Sequence, residues 1–141
     1  MSEYYNRTLE LRKAIGDTGL SLYKFGKTAS IPFHNKNIKT PIEIYEQNKD
    51  MHTLFLLDLN PKENIYMNYK EGINYLIENS EVINKNTKIV ICAALGTDEE
   101  IIKYGTVEEL LKIVITVYPQ CIIIPGKLHF MEDDFLELYK I

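Results

Sequence analysis

Three unbroken apolar runs constrain the fold of this chain more than any other feature of its sequence. Each run is followed by residues that favour a turn. The runs and their turn residues are 54–57 before Asn60 and Pro61, 89–95 before Gly96 and Thr97, and 121–124 before Pro125 and Gly126. Continuous runs of this length are typical of strands buried on both faces. The sequence therefore predicts one sheet with three core strands, and one candidate site where these strands end.

One carboxylate, Asp58, directly follows the first run. Open α/β sheets place their ligand crevice at the carboxyl ends of strands, which makes Asp58 a candidate functional residue. A loop cap that accepts hydrogen bonds from nearby main-chain N–H groups is the commoner role of an aspartate in this position. We favour the cap over a catalytic role.

Signals for helix starts alternate with these runs. The expected starts are Thr40 with Pro41 and Glu43, Asn68 with Glu71, and Thr106 with Glu109. Each is a capping pattern of the kind that begins a helix. The expected inward faces are Ile42 with Tyr45, then Ile73, Leu76 and Ile77, then Leu110, Leu111 and Val114. This alternation predicts the α/β class, with a largely parallel or mixed sheet covered by helices.

The remaining segments give weaker signals. We expect a short helix over 3–13, a turn over 16–19, a strand end over 20–23, a break over 25–27 and a short strand over 29–33. Residues 97–100 are expected to form a turn, with Ile101 and Ile102 touching the core. A short terminal helix is expected to carry Phe135 and Leu138.

Composition narrows the class of protein. The 141 residues suit a single domain, and the net charge of −4 provides no basic field for nucleic acid or an anionic membrane. The first residues lack the apolar core of a signal peptide, and no run approaches the roughly 20 apolar residues of a membrane helix. We expect a soluble, cytoplasmic protein in a reducing compartment, with no nucleic-acid or membrane partner.

Cysteine and histidine do not indicate a metal site. Cys92 and Cys121 both lie inside apolar runs, which predicts two reduced, packed thiols. The three histidines are scattered, and no pair of ligands has metal-site spacing. His129 follows a Pro-Gly turn, and histidine is a residue type that can act as a general acid or base, yet a structural, hydrogen-bonded role is the commoner one. The residues alone predict no metal and identify no catalytic group.

Several phrases, taken together, resemble diphthine synthase, the methyltransferase family of diphthamide biosynthesis. They are T-G-L-x-x-Y-K-F-G-K-T over 18–28, S-I-P-F over 30–33, H-T-L with L-L-D over 52–58, and P-G-K-L-H over 125–129. They occur in the family's order and extend over residues 14–139. The first and last phrases are specific enough that both are not expected by chance.

The resemblance implies the fold of the C-terminal domain of tetrapyrrole-methylase-like methyltransferases. We expect a diphthine-synthase-like C-terminal domain over 14–141, preceded by a poorly matched segment over 1–13. In the family a second, N-terminal domain forms the other wall of the cofactor cleft. The resemblance therefore implies that this chain contributes one wall, with Leu57 at its lip.

The same resemblance implies cofactor-contacting positions. Leu57 matches the family's leucine before the Asp of L-L-D by identity. Leu95 stands where the family usually has a small alanine, and Cys121 stands where it has a histidine. The family's Ser-Ile pair falls on Glu10 and Leu11, which do not match. The expected cofactor is S-adenosyl-L-methionine, held by Leu57, Leu95 and Cys121.

The function implied is transfer of methyl groups from S-adenosylmethionine to the modified histidine of elongation factor 2. The implied partners are elongation factor 2 as substrate, a separate N-terminal half, and a second copy in a homodimer. The alternative is a non-catalytic remnant that serves as a dimerisation or elongation-factor docking domain. The departures at Leu95, Cys121 and Glu10 motivate this alternative.

Overall fold

Five strands form one mixed sheet in which the last strand of the chain lies at the centre. The computed structural model describes residues 7–20, 25–34 and 37–141. The strands are β1 Phe25–Ile31, β2 His52–Leu57, β3 Leu59–Asn60, β4 Ile65–Tyr66, β5 Lys88–Ala93, β6 Ile101–Thr106 and β7 Gln120–Ile124. The large sheet has the order β1-β2-β7-β5-β6, and β3 and β4 form a separate small hairpin.

Strand direction decides which chain segments share an edge of the sheet. β1 runs parallel to β2, whereas β7 runs antiparallel to both of its neighbours, β2 and β5. β6 runs antiparallel to β5. The carboxyl ends of β1, β2 and β5 therefore lie at one edge, together with the amino ends of β6 and β7. The predicted α/β class with a mixed, helix-covered sheet is confirmed.

Helices cover both faces of the sheet. They are α1 Arg7–Asp17, α2 Thr40–Gln47, α3 Tyr69–Asn79, α4 Val107–Leu111 and α5 Phe130–Glu137. Helices α2, α3 and α4 pack on the face that carries Phe55, Ile91 and Ile122, and we name this the first face. Helices α1 and α5 contribute Ala14 and Leu136 to the opposite, second face. Each core strand thus supplies alternate residues to two separate apolar layers.

All three predicted helices are present, two with the predicted caps and one with a different cap. The Asn68 side chain caps α3 by accepting from the Lys70 N–H, and Thr106 and Glu109 form a complete capping box on α4. Helix α2 instead has Lys39 at its N-cap, with no side-chain cap hydrogen bond. Lys39 already has helical dihedral angles, so Thr40 lies inside the helix and cannot act as the cap.

Two strands differ from the sequence prediction. β1 is one continuous strand through Gly26, where we expected a break followed by a short strand. Pairing with β2 holds the segment extended, with a register irregularity between Phe25 and Thr28. β6 was not predicted at all: its Lys103 and Gly105 interrupt the apolar pattern, yet it pairs with β5 along its whole length.

Helices α1 and α3, and the end of α4, also differ from expectation. α1 extends through Asp17, so the predicted turn is confined to Thr18 and Gly19. Residues 1–6 and 21–24, on which part of the predicted first helix and strand end fall, lie outside the described residues. In α3 the expected inward residue Ile77 is 36% exposed, and Tyr75 is buried instead. The expected inward residue Val114 is 77% exposed, because α4 ends at Leu111.

Candidate functional site

The edge where β2 and β5 end and β7 begins brings together the chain segments that carry the predicted site residues. Leu57 closes β2, Cys121 is the second residue of β7, and Leu95 follows β5 by two residues. Cys121 pairs with Leu56 on one side and with Cys92 on the other. The sheet therefore places all three segments side by side, although they are up to 64 positions apart in the sequence.

The side chains of these three residues are buried. Leu57 and Leu95 are 1% exposed and Cys121 is fully buried. Leu57 packs on the first face beneath α3, so closely that a Cβ at Gly72 would lie 2.9 Å from its Cδ2. Leu95 and Cys121 pack on the second face. A ligand at this edge would meet these positions through the main chain, and their assignment to a cofactor stays a prediction.

Asp58 caps loops at this edge. Its Oδ2 accepts from the Phe33 N–H at 3.0 Å, and its Oδ1 accepts from the Leu59 N–H at 2.9 Å. Its carbonyl oxygen accepts from the Met67 N–H at 3.0 Å. Both carboxylate oxygens thus hold the loops that follow β1 and β2. The structural interpretation of Asp58 is confirmed.

An open pocket of about 710 Å³ lies beside the same edge. Its walls come from the β3–β4 hairpin, the β5–β6 loop and the segment before β7. The lining residues are Asn64, Ile65, Tyr66, Glu99, Thr116, Val117 and Tyr118. The rings of Tyr66 and Tyr118 stack, with centroids 5.6 Å apart. The pocket offers aromatic surface and one carboxylate to a ligand.

A buried hydrogen-bond network fixes the wall of this pocket. Gln120 is 1% exposed, and its Oε1 accepts from the Tyr69 N–H at 2.7 Å. Its Nε2 donates to the carbonyl oxygens of Ile115 and Val117, each at 3.1 Å. The segment before β7 is therefore held against the start of α3. Because every polar atom of this amide has a partner, the wall is rigid.

Asn68 ties the aromatic pair to the same network. Its amide donates to the Tyr118 hydroxyl at 3.1 Å while its carbonyl oxygen caps α3. The Tyr66 hydroxyl is buried and has no hydrogen-bond partner among the residues that the structure describes. A buried hydroxyl without a partner costs free energy, which makes the aromatic pair a less stable part of this wall.

The loop after Leu95 makes this edge acidic. The Gly96 N–H donates to Glu100 Oε1 at 2.8 Å, which folds the loop back on itself. Partial burial raises the pKa of Glu100, and the nearby Asp17 carboxyl raises it further, although the Gly96 bond opposes both. Asp98 and Glu99 are exposed on the same loop. Such a concentration of carboxylates repels anions.

At the opposite edge of the sheet, the P-G-K-L-H phrase has a structural role. His52 is fully buried, and its Nδ1 accepts from the Gly126 N–H at 2.9 Å. The ring proton is therefore on Nε2, which donates to Glu132 Oε2 at 2.8 Å. Glu132 Oε1 accepts from the His129 N–H at 3.0 Å, which closes a capping box on α5. The structural interpretation of His129 is confirmed.

Sequence reasoning missed the residues that build the pocket. Tyr66, Tyr118 and Gln120 lie in segments without a regular pattern, and only the fold brings them together. A signal for Gln120 did exist: a lone amide at the start of an apolar run needs internal partners if the run is buried. The described residues contain no group of three or more possible metal ligands. Nor does a helix among them have the length and apolar character of a membrane span.

No protein-family model matches the chain. The chain is 42% identical over 135 residues to a diphthine synthase from Methanocaldococcus jannaschii, and 41% identical over 133 residues to one from Methanococcus aeolicus. Each match covers 88% of this chain and 52% of the relative. The chain therefore spans about half the length of the curated relatives it matches.

A solved structure of diphthine synthase shares the fold. It superposes with a TM-score of 0.80 at 32% identity, over 91% of this chain and 50% of the solved one. The resemblance to diphthine synthases is confirmed in both sequence and structure, and a C-terminal portion of these proteins fits the coverage.

Proposed function

We propose that this chain, a relative of the diphthine synthases, supplies the C-terminal half of an S-adenosylmethionine-dependent methyltransferase. The target is the modified histidine of elongation factor 2, in the synthesis of diphthamide. A second polypeptide, or a further part of the same gene product, supplies the other half. The boundary proposed from the sequence assigns residues 14–141 to the C-terminal domain and 1–13 to a separate segment, although α1 runs across position 13.

One observation carries the proposal. The register of β2, β5 and β7 puts the segments of Leu57, Leu95 and Cys121 at a single sheet edge, beside an open pocket. This edge is where an α/β sheet binds ligands. The match to diphthine synthases supports methyl transfer as the reaction at this edge, because these relatives act as methyltransferases.

The residues present fit the cofactor in part. S-adenosylmethionine carries its methyl group on a positively charged sulfonium, and the acidic loop with Glu99 favours a cation here. The tyrosine pair offers faces on which a planar or cationic group can rest. The side chains of Leu57, Leu95 and Cys121 are buried, so their segments would meet a cofactor through the main chain. One such wall does not exclude water from a methyl transfer, so the second wall must come from the other half.

The experiment measures cofactor binding with and without that second wall. The chain is co-expressed with the part of the Methanocaldococcus jannaschii enzyme that the match leaves uncovered, and S-adenosylmethionine is titrated calorimetrically. We expect micromolar binding by the complex and at least tenfold weaker binding by the chain alone. A purified complex that takes up no cofactor would refute the proposal.

A charge reversal at the pocket tests the location. Glu99→Lys should weaken binding severalfold, because it reverses the charge of the one carboxylate among the described residues that line the pocket. Glu108→Lys, equally exposed on α4 and away from the pocket, is the matched control and should leave affinity unchanged. Equal affinities for both variants would place the cofactor elsewhere.

A second function stays open because all three predicted contact side chains are buried. The chain would then be a non-catalytic remnant that dimerises or docks to elongation factor 2. Pull-down of elongation factor 2 by a complex that binds no cofactor would favour this function. Both proposals include a cytoplasmic location and a homodimer. Sedimentation of the purified chain tests the homodimer.

A further inference from the structure

Helix α5 is apolar on two opposite faces. Leu136 is fully buried in the second-face core, and Glu132 on the same inward side is buried in its hydrogen bonds to His52 and the His129 N–H. The outer side carries Met131 at 55%, Phe135 at 47% and Leu138 at 75% exposure. Their spacing of four and three residues places them in one stripe along the helix. The neighbouring Phe130 extends this stripe and is 71% exposed.

The stripe is concentrated, and it stands out from the rest of the surface. Ten large apolar side chains are exposed among the described residues, and four of them belong to this one short segment. Met131, Asp134, Phe135 and Leu138 line a shallow groove of about 280 Å³. Contiguous apolar surface of this kind marks a protein contact more often than a free surface.

The fold holds this surface rigidly. The His52–Glu132 hydrogen bond and the capping box fix the first turn of α5 on the sheet. Phe135 lies directly over Gly19, where a Cβ would come within 2.6 Å of its Cγ. Gly19 also has a φ of +75°, which favours glycine on its own account. A pre-ordered apolar helix face loses little entropy when a partner covers it.

The charged residues around the stripe indicate the kind of partner that it can bind. Asp133, Asp134 and Glu137 are exposed around the stripe, and Lys140 is the one cation among residues 130–141. Two copies of this face would bring acidic rims together, which is unfavourable. The face fits a partner whose apolar surface is bordered by Lys or Arg.

We infer that the outer face of α5 is the docking surface for the polypeptide that supplies the other half of the enzyme. The inference rests on the proposed function for the identity of this partner. The relatives are about twice as long as the matched region, so each carries a comparable length of chain that this sequence does not match. An exposed apolar face on one half is a suitable binding surface for such a segment.

The test uses the 141-residue chain co-expressed with the tagged, uncovered part of the Methanocaldococcus jannaschii enzyme. The change is Leu138→Lys, which removes apolar contact and adds a charge at an exposed site. Burial of one such side chain at the centre of an interface is worth at least tenfold in affinity. Val114→Lys is the matched control, since Val114 is 77% exposed but lies beyond α4.

We expect the wild-type chain and Val114→Lys to co-purify with the tagged half, and Leu138→Lys to dissociate at least tenfold more readily. In the wild-type complex, hydrogen exchange should slow at the amides of α5 relative to the chain alone. Far-ultraviolet circular dichroism confirms that each variant is folded.

Three outcomes overturn the inference. If Leu138→Lys forms the complex as tightly as wild type does, the proposed two-part enzyme is retained, but α5 is not part of its interface. Absence of any complex refutes the two-part enzyme and the docking surface together. A homodimer of the chain alone that Leu138→Lys converts to monomer shows that a second copy occupies this face.

Discussion

The turn after β7 gives the sharpest test of how this fold is held together. Gly126 approaches the main chain of Asp50 and Met51 so closely that an added Cβ would lie 2.4 Å from the Asp50 carbonyl oxygen. That distance is about 1 Å short of ordinary van der Waals contact. Because the obstructing atoms belong to the backbone, no side-chain rotation relieves the clash. In Gly126→Ala the turn must move away from the loop that precedes β2.

The cost follows from the hydrogen bonds that this movement breaks. The Gly126 N–H donates to buried His52, and the Lys127 N–H donates to the Asp50 carbonyl oxygen. A buried acceptor left without its donor costs about 1–3 kcal/mol, and an ordinary main-chain bond about 1 kcal/mol. We expect Gly126→Ala to lower the free energy of unfolding by about 2–4 kcal/mol, and the melting temperature by about 8–16 °C.

Urea unfolding followed by far-ultraviolet circular dichroism measures this change. Gly16→Ala is the control, because Gly16 lies in α1 and no atom of the described residues lies within 4 Å of an added Cβ. That control should stabilise the protein by about 0.5–1 kcal/mol through helix propensity. A Gly126→Ala protein within about 0.5 kcal/mol of wild type would refute the close approach.

Two further predictions concern caps. Asp58→Ala should lower the free energy of unfolding by about 1–3 kcal/mol, because the N–H groups of Phe33 and Leu59 lose their acceptor; denaturant unfolding checks this, and an unchanged midpoint would contradict the capping role. The Thr106 N–H lowers the pKa of Glu109 below its ordinary 4.5. The capping box therefore stabilises the fold above that pH and loses this contribution as pH falls through the lowered pKa. A carboxyl titration by NMR should show the lowered pKa of Glu109, and Thr106→Ala, which removes the side-chain bond but keeps the main-chain N–H, should raise that pKa only in part; a Glu109 that titrates at its ordinary value in the wild-type protein would count against the box.

The elements that the sequence predicted well are those with a strong local cause. β2, β5 and β7 are continuous apolar runs. Each of these strands is buried on both faces, because an apolar core layer lies on either side of the sheet. The helix starts at Asn68 and Thr106 follow from side chains that bond to N–H groups two or three residues away. Such short-range chemistry can be recognised without knowledge of the fold.

The elements that were missed depend on pairing between distant segments. β6 has a lysine and a glycine in its pattern, and its extended form follows from its bonds to β5. The antiparallel insertion of β7 between β2 and β5 has no local signal either. The pocket residues Tyr66 and Tyr118 meet only because of that insertion. Tertiary context decides these features, and a one-dimensional pattern does not contain it.

The central position of β7 also determines when this protein can fold during its synthesis. Strands β1, β2, β5 and β6 are synthesised before β7 and form two pairs, β1–β2 and β5–β6. In each pair one strand, β2 or β5, still lacks β7 as its neighbour. Until residue 124 leaves the exit tunnel, those two strands expose unpaired N–H and C=O groups, which invite association with other nascent chains. A product that ends before β7 would have an incomplete sheet with two unpaired inner strands, so chaperone protection of the nascent chain matters until β7 has been synthesised.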